Sequence, residues 1–156
     1  MPPVTITAAK TASPDYDAIV HVVQLYIDGF NDCSVAKFKE AFHENAWIFY
    51  TDAQGALHKS LLSDCFEEWA VPHTYRIVGR IISVIQAGDV AVVLLGFDND
   101  NGRSSSWVDI HSLLRIDGVW KIMNKTATHN SRAAWAGEEY PLRQKVSPQT
   151  TRPRRA

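Results

Sequence analysis

The chain has 156 residues, 46% of them apolar and 21% charged, with a formal net charge of −1; this is the composition of one soluble globular domain and excludes collagen-like, coiled-coil and disulfide-rich classes. No run of 18 apolar residues marks a membrane span. Residues 1–140 carry 11 basic and 17 acidic side chains, a balance that repels phosphate backbones and argues against nucleic acid as a partner.

Residues 1–13, small, polar and Pro-bearing, read as a flexible arm. MPPVTITAAK has no basic start followed by an apolar run, so a cytoplasmic protein is expected rather than a secreted one. Ser13-Pro14-Asp15 supplies a helix start. From Tyr16 to Asn31 the set Ile19, Val20, Val23, Tyr26, Ile27 and Phe30 keeps helical spacing. Ser34 can cap a second helix carrying Val35, Phe38, Ala41 and Phe42. Residues 46–50, AWIFY, are aromatic and β-branched and predict a short strand. Asp52-Ala53-Gln54-Gly55 turns the chain, and Leu61, Leu62, Cys65, Phe66 and Trp69 mark a third helix closed by Pro72. Cys33 and Cys65 read as free thiols, not as a bridge.

Long strands follow. Residues 74–86 and 90–97 flank the turn Ala87-Gly88-Asp89; DNDNGR at 98–103 is a polar loop; residues 105–116 and 119–129 flank Asp117-Gly118, a strong hairpin signal. Helices followed by a run of antiparallel strands define an α+β layout, with helices packed on one face of a curved sheet. Residues 138–156 form a basic tail without periodicity. The six histidines show no metal-ligand spacing, and there is no phosphate-binding glycine loop, GxSxG or dinucleotide fingerprint. No metal and no cofactor are therefore expected.

The element order over residues 15–130, the segment AIVHVVQLYIDGFNDCSVAKFKEAFHENAWIF and the hairpin SLLRIDGVWKIMNK together resemble the nuclear transport factor 2-like superfamily, and in particular its lumazine-binding, polyketide cyclase-like and scytalone dehydratase-like branches. The resemblance implies a cone of mainly antiparallel sheet with three N-terminal helices enclosing a pocket, a single domain over 14–137, and a homodimer formed through the outer sheet face. It also implies roles for some residues. Tyr26 falls where ketosteroid isomerase has the tyrosine that stabilises its enolate oxygen. That enzyme's catalytic aspartate falls on Tyr50, with Asp52 two residues on. Tyr50 coincides with a pocket tyrosine of scytalone dehydratase, and Asp109 with its pocket asparagine. An adjacent pair in that enzyme's first-helix region becomes Phe30 and Asn31, and its two pocket histidines have no clear counterpart. Neither enzyme's full set is present.

The last hairpin carries the candidate site, in one of two registers. With a three-residue loop, Ile116-Asp117-Gly118, Asp109 lies opposite Lys125, Trp107 opposite Ala127 and His111 opposite Met123. With a two-residue loop, the register moves by one, Asp109 and Lys125 separate, and Val108, Ile110, Ser112 and Leu114 face the core. The first register gathers Asp109, Tyr50, Tyr26, Lys125 and His129 as candidate catalytic residues, with Trp107, Phe30, Trp47 and Met123 as candidate substrate contacts. It leaves Val108, Ile110, Trp120 and Ile122 for the dimer face. A pocket carboxylate can act as a general base, and tyrosine hydroxyls can stabilise an oxyanion.

Two functions follow from these residues. One is a cofactor-independent lyase or isomerase for a small apolar polyketide- or terpenoid-like carbonyl compound, working by dehydration, cyclisation or proton transfer beside the carbonyl. The other is a non-catalytic ligand-binding or dimerisation module of the same fold.

Overall fold

A computed structural model of the chain describes residues 13–52, 54–99 and 106–127; the predicted N-terminal arm up to residue 12, the tail from 138 and His129 lie outside them. Helix α1 spans Tyr16–Asn31 and α2 spans Val35–Ala41, where the Ser34 side chain accepts from the Lys37 amide and caps the helix as its position predicts. Strands β1 (Phe42–Thr51) and β2 (Leu57–Leu61) follow, then a single 3₁₀ turn (Leu62–Cys65) running into the one-turn α3 (Phe66–Trp69). Four long strands follow: β3 (Ile77–Ala87), β4 (Val90–Asn99), β5 (Ser106–Ile116) and β6 (Val119–Ala127).

The six strands form one sheet in the order β2-β1-β6-β5-β4-β3. The β1–β6 pair is parallel and the others are antiparallel. Register breaks at Phe42/Trp47, Ile81/Ser83 and Ser112/Leu113 curve the sheet. The helices lie in its concavity. This is the α+β cone that the resemblance implies.

Three expectations change. β1 starts at Phe42, which spacing alone assigned to the second helix, because the chain leaves α2 directly into pairing with Ile122. Leu61 belongs to a short edge strand instead of the third helix, drawn out by pairing with Trp47. The third strand begins at Ile77, three residues later than its pattern suggests.

Helix α1 is held at both ends. At its start the Asp15 carboxylate accepts from Arg115 at 2.7 Å, Gln86 at 3.1 Å and the Trp120 indole at 3.2 Å, tying the helix to the tips of both hairpins. At its end Asn31 exchanges two hydrogen bonds with the backbone of Ile77, at 2.7 and 2.9 Å. The His73 ring nitrogens also lie 2.9 Å from the carbonyl oxygens of Phe30 and Tyr75. Between these anchors Ile19, Val22, Val23, Tyr26, Ile27 and Phe30 form one buried stripe against the sheet, each apolar side chain contributing about 1.5–3 kcal/mol. Gly29 lets Phe38 pack on the helix backbone, where a Cβ would lie 2.5 Å from its ring.

The last hairpin closes with a two-residue turn. Ile116 pairs with Val119, and Asp117 and Gly118 both take positive φ, 50° and 80°, the conformation that suits a right-twisted hairpin. The stripe expected for that turn does not hold as a whole, however. Val108 is buried but Ile110 and Leu114 are exposed, while Asp109, His111 and Leu113 are fully buried. Trp120 and Ile122, assigned to the outer face under the three-residue turn, are buried in the core.

Candidate active site

Four polar side chains meet inside the cone: Tyr26 from α1, Asp109 and His111 from β5, and Lys125 from β6. Strand alternation turns Asp109, His111 and Leu113 to the same face. In β6 Trp120 and Ile122 point inward. Met123 is then skipped in the register, and Lys125 points inward after it. The bulge thus restores the facing that a two-residue turn would otherwise remove.

Asp109 is registered with Ala127 and Lys125 with His111, not with each other as the three-residue register required. Even so, the Lys125 ammonium lies 3.1 Å from Asp109 Oδ2. It also donates to the Tyr26 hydroxyl at 2.7 Å, and that hydroxyl donates to Asp109 Oδ2 at 3.2 Å. His111 Nε2 stands 3.7 Å from the same oxygen, beyond hydrogen-bond length. Among the described residues, Asp109 Oδ1 and both His111 ring nitrogens are buried without a hydrogen-bond partner.

The walls are aromatic. Phe30, Phe42 and His111 meet the Tyr26 ring edge-to-face at 5.3, 5.4 and 5.2 Å. The Lys125 ammonium sits 4.9 Å from the centre of Trp69 and 5.1 Å from that of Tyr26.

Burial by itself would push the Asp109 carboxyl up. The Lys125 ammonium, with His111 beside it, more than offsets that and holds the group below the ordinary carboxylate range. Burial, reinforced by the Asp109 charge, pushes the Tyr26 phenol well above its usual value. Burial pushes His111 down, so its ring is neutral near pH 7. Beside Lys125 the site at neutral pH therefore holds an ionised Asp109, a protonated Tyr26 phenol and a neutral His111 imidazole. The Cys65 thiol is pushed up by burial and stays protonated.

The other candidates lie elsewhere. Tyr50 is registered with Ala127, itself the register partner of Asp109, and its half-buried ring stacks on His58 at 4.9 Å. Asp52 accepts from or pairs with His58 at 2.8 Å in the β1–β2 turn, which occupies its carboxylate away from the four-residue cluster. Phe30 is buried against Tyr26. Trp47 lies under the Lys59 ammonium at 4.6 Å, its neighbours Ala46 and Ile48 being the buried ones. Met123 is the half-buried bulge residue. The Trp107 side chain and His129 lie outside the described residues. Asn31, compared above with a residue of scytalone dehydratase, ties α1 to β3.

The sequence reading assigned no role to His111 or Trp69. The signal for His111 was present: two polar residues spaced by two, Asp109 and His111, in a strand otherwise rich in Leu, Ile and Val. Trp69 carried none beyond helical spacing.

The curved sheet, the enclosing helices and the polar cluster on the concave face define a nuclear transport factor 2-like protein. Residues 14–127 match the model of the family described as "Putative lumazine-binding", and the chain belongs to that family. It is 24% identical over 120 residues to a protein named Aldolase FrzH from Cladobotryum sp, covering 76% of this chain and 94% of that one. Among solved structures it is similar to an NTF2-like protein of unknown function from Shewanella baltica, with a TM-score of 0.65, 21% identity and coverage of 76% and 96% of the two chains. An NTF2-like protein of unknown function from Methylobacillus flagellatus gives a TM-score of 0.61, 23% identity and coverage of 76% and 94%. Fold and family together make the chain a ligand-binding or small-molecule-converting module. Among the described residues no helix is long and apolar enough to cross a membrane.

Proposed function

We propose that the chain is an enzyme of enolate chemistry: a lyase or isomerase that removes a proton beside a carbonyl of a small, largely apolar substrate and uses the carbanion in isomerisation, dehydration or an aldol-type ring closure. The observation that carries this reading is the Asp109 carboxylate. One of its oxygens is held by Lys125 and Tyr26, and the other has no hydrogen-bond partner among the described residues.

In this reading Oδ1 takes the proton from carbon as the C–H bond breaks, and the electron pair moves into the carbonyl. Asp109 becomes neutral as the substrate oxygen becomes negative, so the net charge in the apolar site is unchanged. Lys125 loses its carboxylate partner at the moment an enolate needs one. The ammonium and the Tyr26 hydroxyl then follow the charge to the substrate oxygen. The similarity to a protein named an aldolase supports a carbon–carbon bond step of this kind.

A non-catalytic ligand-binding module is the second reading, favoured by the complete burial of the cluster under aromatic rings. Proton exchange separates the two. Small cyclic ketones incubated in D₂O with the wild type should lose their α-proton NMR signals faster than in buffer, and Asp109→Asn should abolish the excess. Exchange at the buffer rate in both proteins would overturn the enzymatic reading.

We also propose that a second copy covers the convex face. Val90 is registered with Leu114, and Leu94 with the adjacent Ile110; Val90, Ile110 and Leu114 are exposed there in a monomer. Sedimentation should give a dimer that Ile110→Lys dissociates; a wild-type monomer at high concentration would refute it.

A further inference from the structure

The unpartnered atoms of the cluster restrict what can occupy it. His111 Nε2 is 3.7 Å from Asp109 Oδ2 and faces a carboxylate. A proton on that nitrogen is attracted to the oxygen, whereas a lone pair there would be repelled. The neutral ring therefore carries its proton on Nε2, which leaves Nδ1 as an acceptor. Asp109 Oδ1 is an acceptor as well. Both atoms are buried without a hydrogen-bond partner among the described residues.

The donors of the cluster are engaged with each other. The Tyr26 hydroxyl donates to Asp109, and Lys125 donates to Tyr26 and pairs with Asp109. Charge is also balanced, one carboxylate against one ammonium, inside walls formed by Phe30, Phe42 and Trp69. An anionic occupant would bring an uncompensated charge into that apolar surround.

We infer that the site selects a neutral ligand that carries a hydroxyl or N–H donor as well as its carbonyl, and that His111 Nδ1 receives that donor while Asp109 Oδ1 faces the carbon beside the carbonyl. An acid, a phosphate ester or an unadorned ketone is discriminated against. A buried acceptor left unmatched costs its full desolvation. This inference names the substrate class of the site described above and rests on that reading for its catalytic meaning, but not for binding.

The test uses one skeleton with three substituents: 6-hydroxy-1-tetralone, 1-tetralone and 1-tetralone-6-carboxylate, titrated into the full-length protein by calorimetry or ligand-observed NMR. The hydroxy ketone should bind at least about tenfold tighter than the other two. His111→Phe, which keeps the ring's volume and leaves the ion pair in place, should remove that preference without abolishing binding of 1-tetralone. Equal affinities for the hydroxy ketone and the ketone, or tighter binding of the carboxylate, would overturn the inference. Preference without α-proton exchange would leave the inference standing and remove the enzymatic reading; exchange of 1-tetralone without preference would do the reverse.

Discussion

The Asp109 carboxylate and the Lys125 ammonium meet at 3.1 Å although neither is the other's partner across the hairpin. Their contact depends on one residue, Met123, which the β5–β6 register skips. Were it paired instead of skipped, the side chains beyond Ile122 would change faces, because strand alternation has a period of two. Deleting Met123 removes the extra residue and should therefore leave the Asp117-Gly118 turn, the His111–Lys125 register and the inward ammonium in place. The expected outcome is a folded protein that retains ketone exchange. Loss of exchange in a folded variant would show that the bulge does more for the site than set the register.

The pair should behave as a unit in stability. Asp109→Asn takes the carboxylate from a buried ammonium, and Lys125→Met takes the ammonium from a buried carboxylate; each is expected to cost about 3–5 kcal/mol. The double variant removes both charges and should cost less than the sum of the two single losses, with a coupling of about 1–3 kcal/mol in a denaturant cycle. Additive losses would mean that the two groups do not interact.

Stability should also depend on pH with a definite sign. His111 is held below its ordinary value of 6.5, so the unfolded chain binds a proton there that the folded one refuses. Its contribution is present above about 6.5 and lost as pH falls below it. Asp109, held below 3.8, adds a second loss as pH falls from that value toward its folded one. Tyr26 is raised above 10.0, so its contribution persists below that value and is lost as pH rises through the higher folded one. Thermal melts should show a plateau near neutrality, and His111→Phe should flatten the decline just below pH 6.5. An unchanged acid limb would exclude His111 as its source.

Gly29→Ala tests the packing beneath Tyr26. Alanine is favoured over glycine in a helix by about 1 kcal/mol. Its Cβ, however, would lie 2.5 Å from the Phe38 ring, which is itself packed against Phe30, Phe66 and Trp69 and has nowhere to move. Overpacking of this kind costs about 1–3 kcal/mol. A net destabilisation in urea is expected, and a stabilised variant would show that the ring can yield.

Much of this molecule was legible locally. Helical spacing over Tyr16–Asn31, the Ser34 cap, the Asp117-Gly118 turn and four long strands follow from propensities and periods acting within a few residues. The short edge strand at Leu57–Leu61 was not legible, because its sequence forms a strand only by pairing with β1. Tyr50 and Trp47 show the same limit at the site: aromatic character marks a residue for burial but does not say against what, and the two stack on His58 and under Lys59 instead of joining the cluster.

The sequence by itself determined the α+β order, the inward stripe of α1 with Tyr26 on it, and the presence of one carboxylate and one ammonium near the last hairpin. Only the tertiary structure decided that these groups share a face. A bulge is a cooperative property of the whole curved sheet, set by how β6 must bend between β1 and β5, and it leaves no residue signature at Met123. Because alternation reverses with every inserted residue, that single skipped position determines whether Lys125 faces solvent or closes an ion pair in the core.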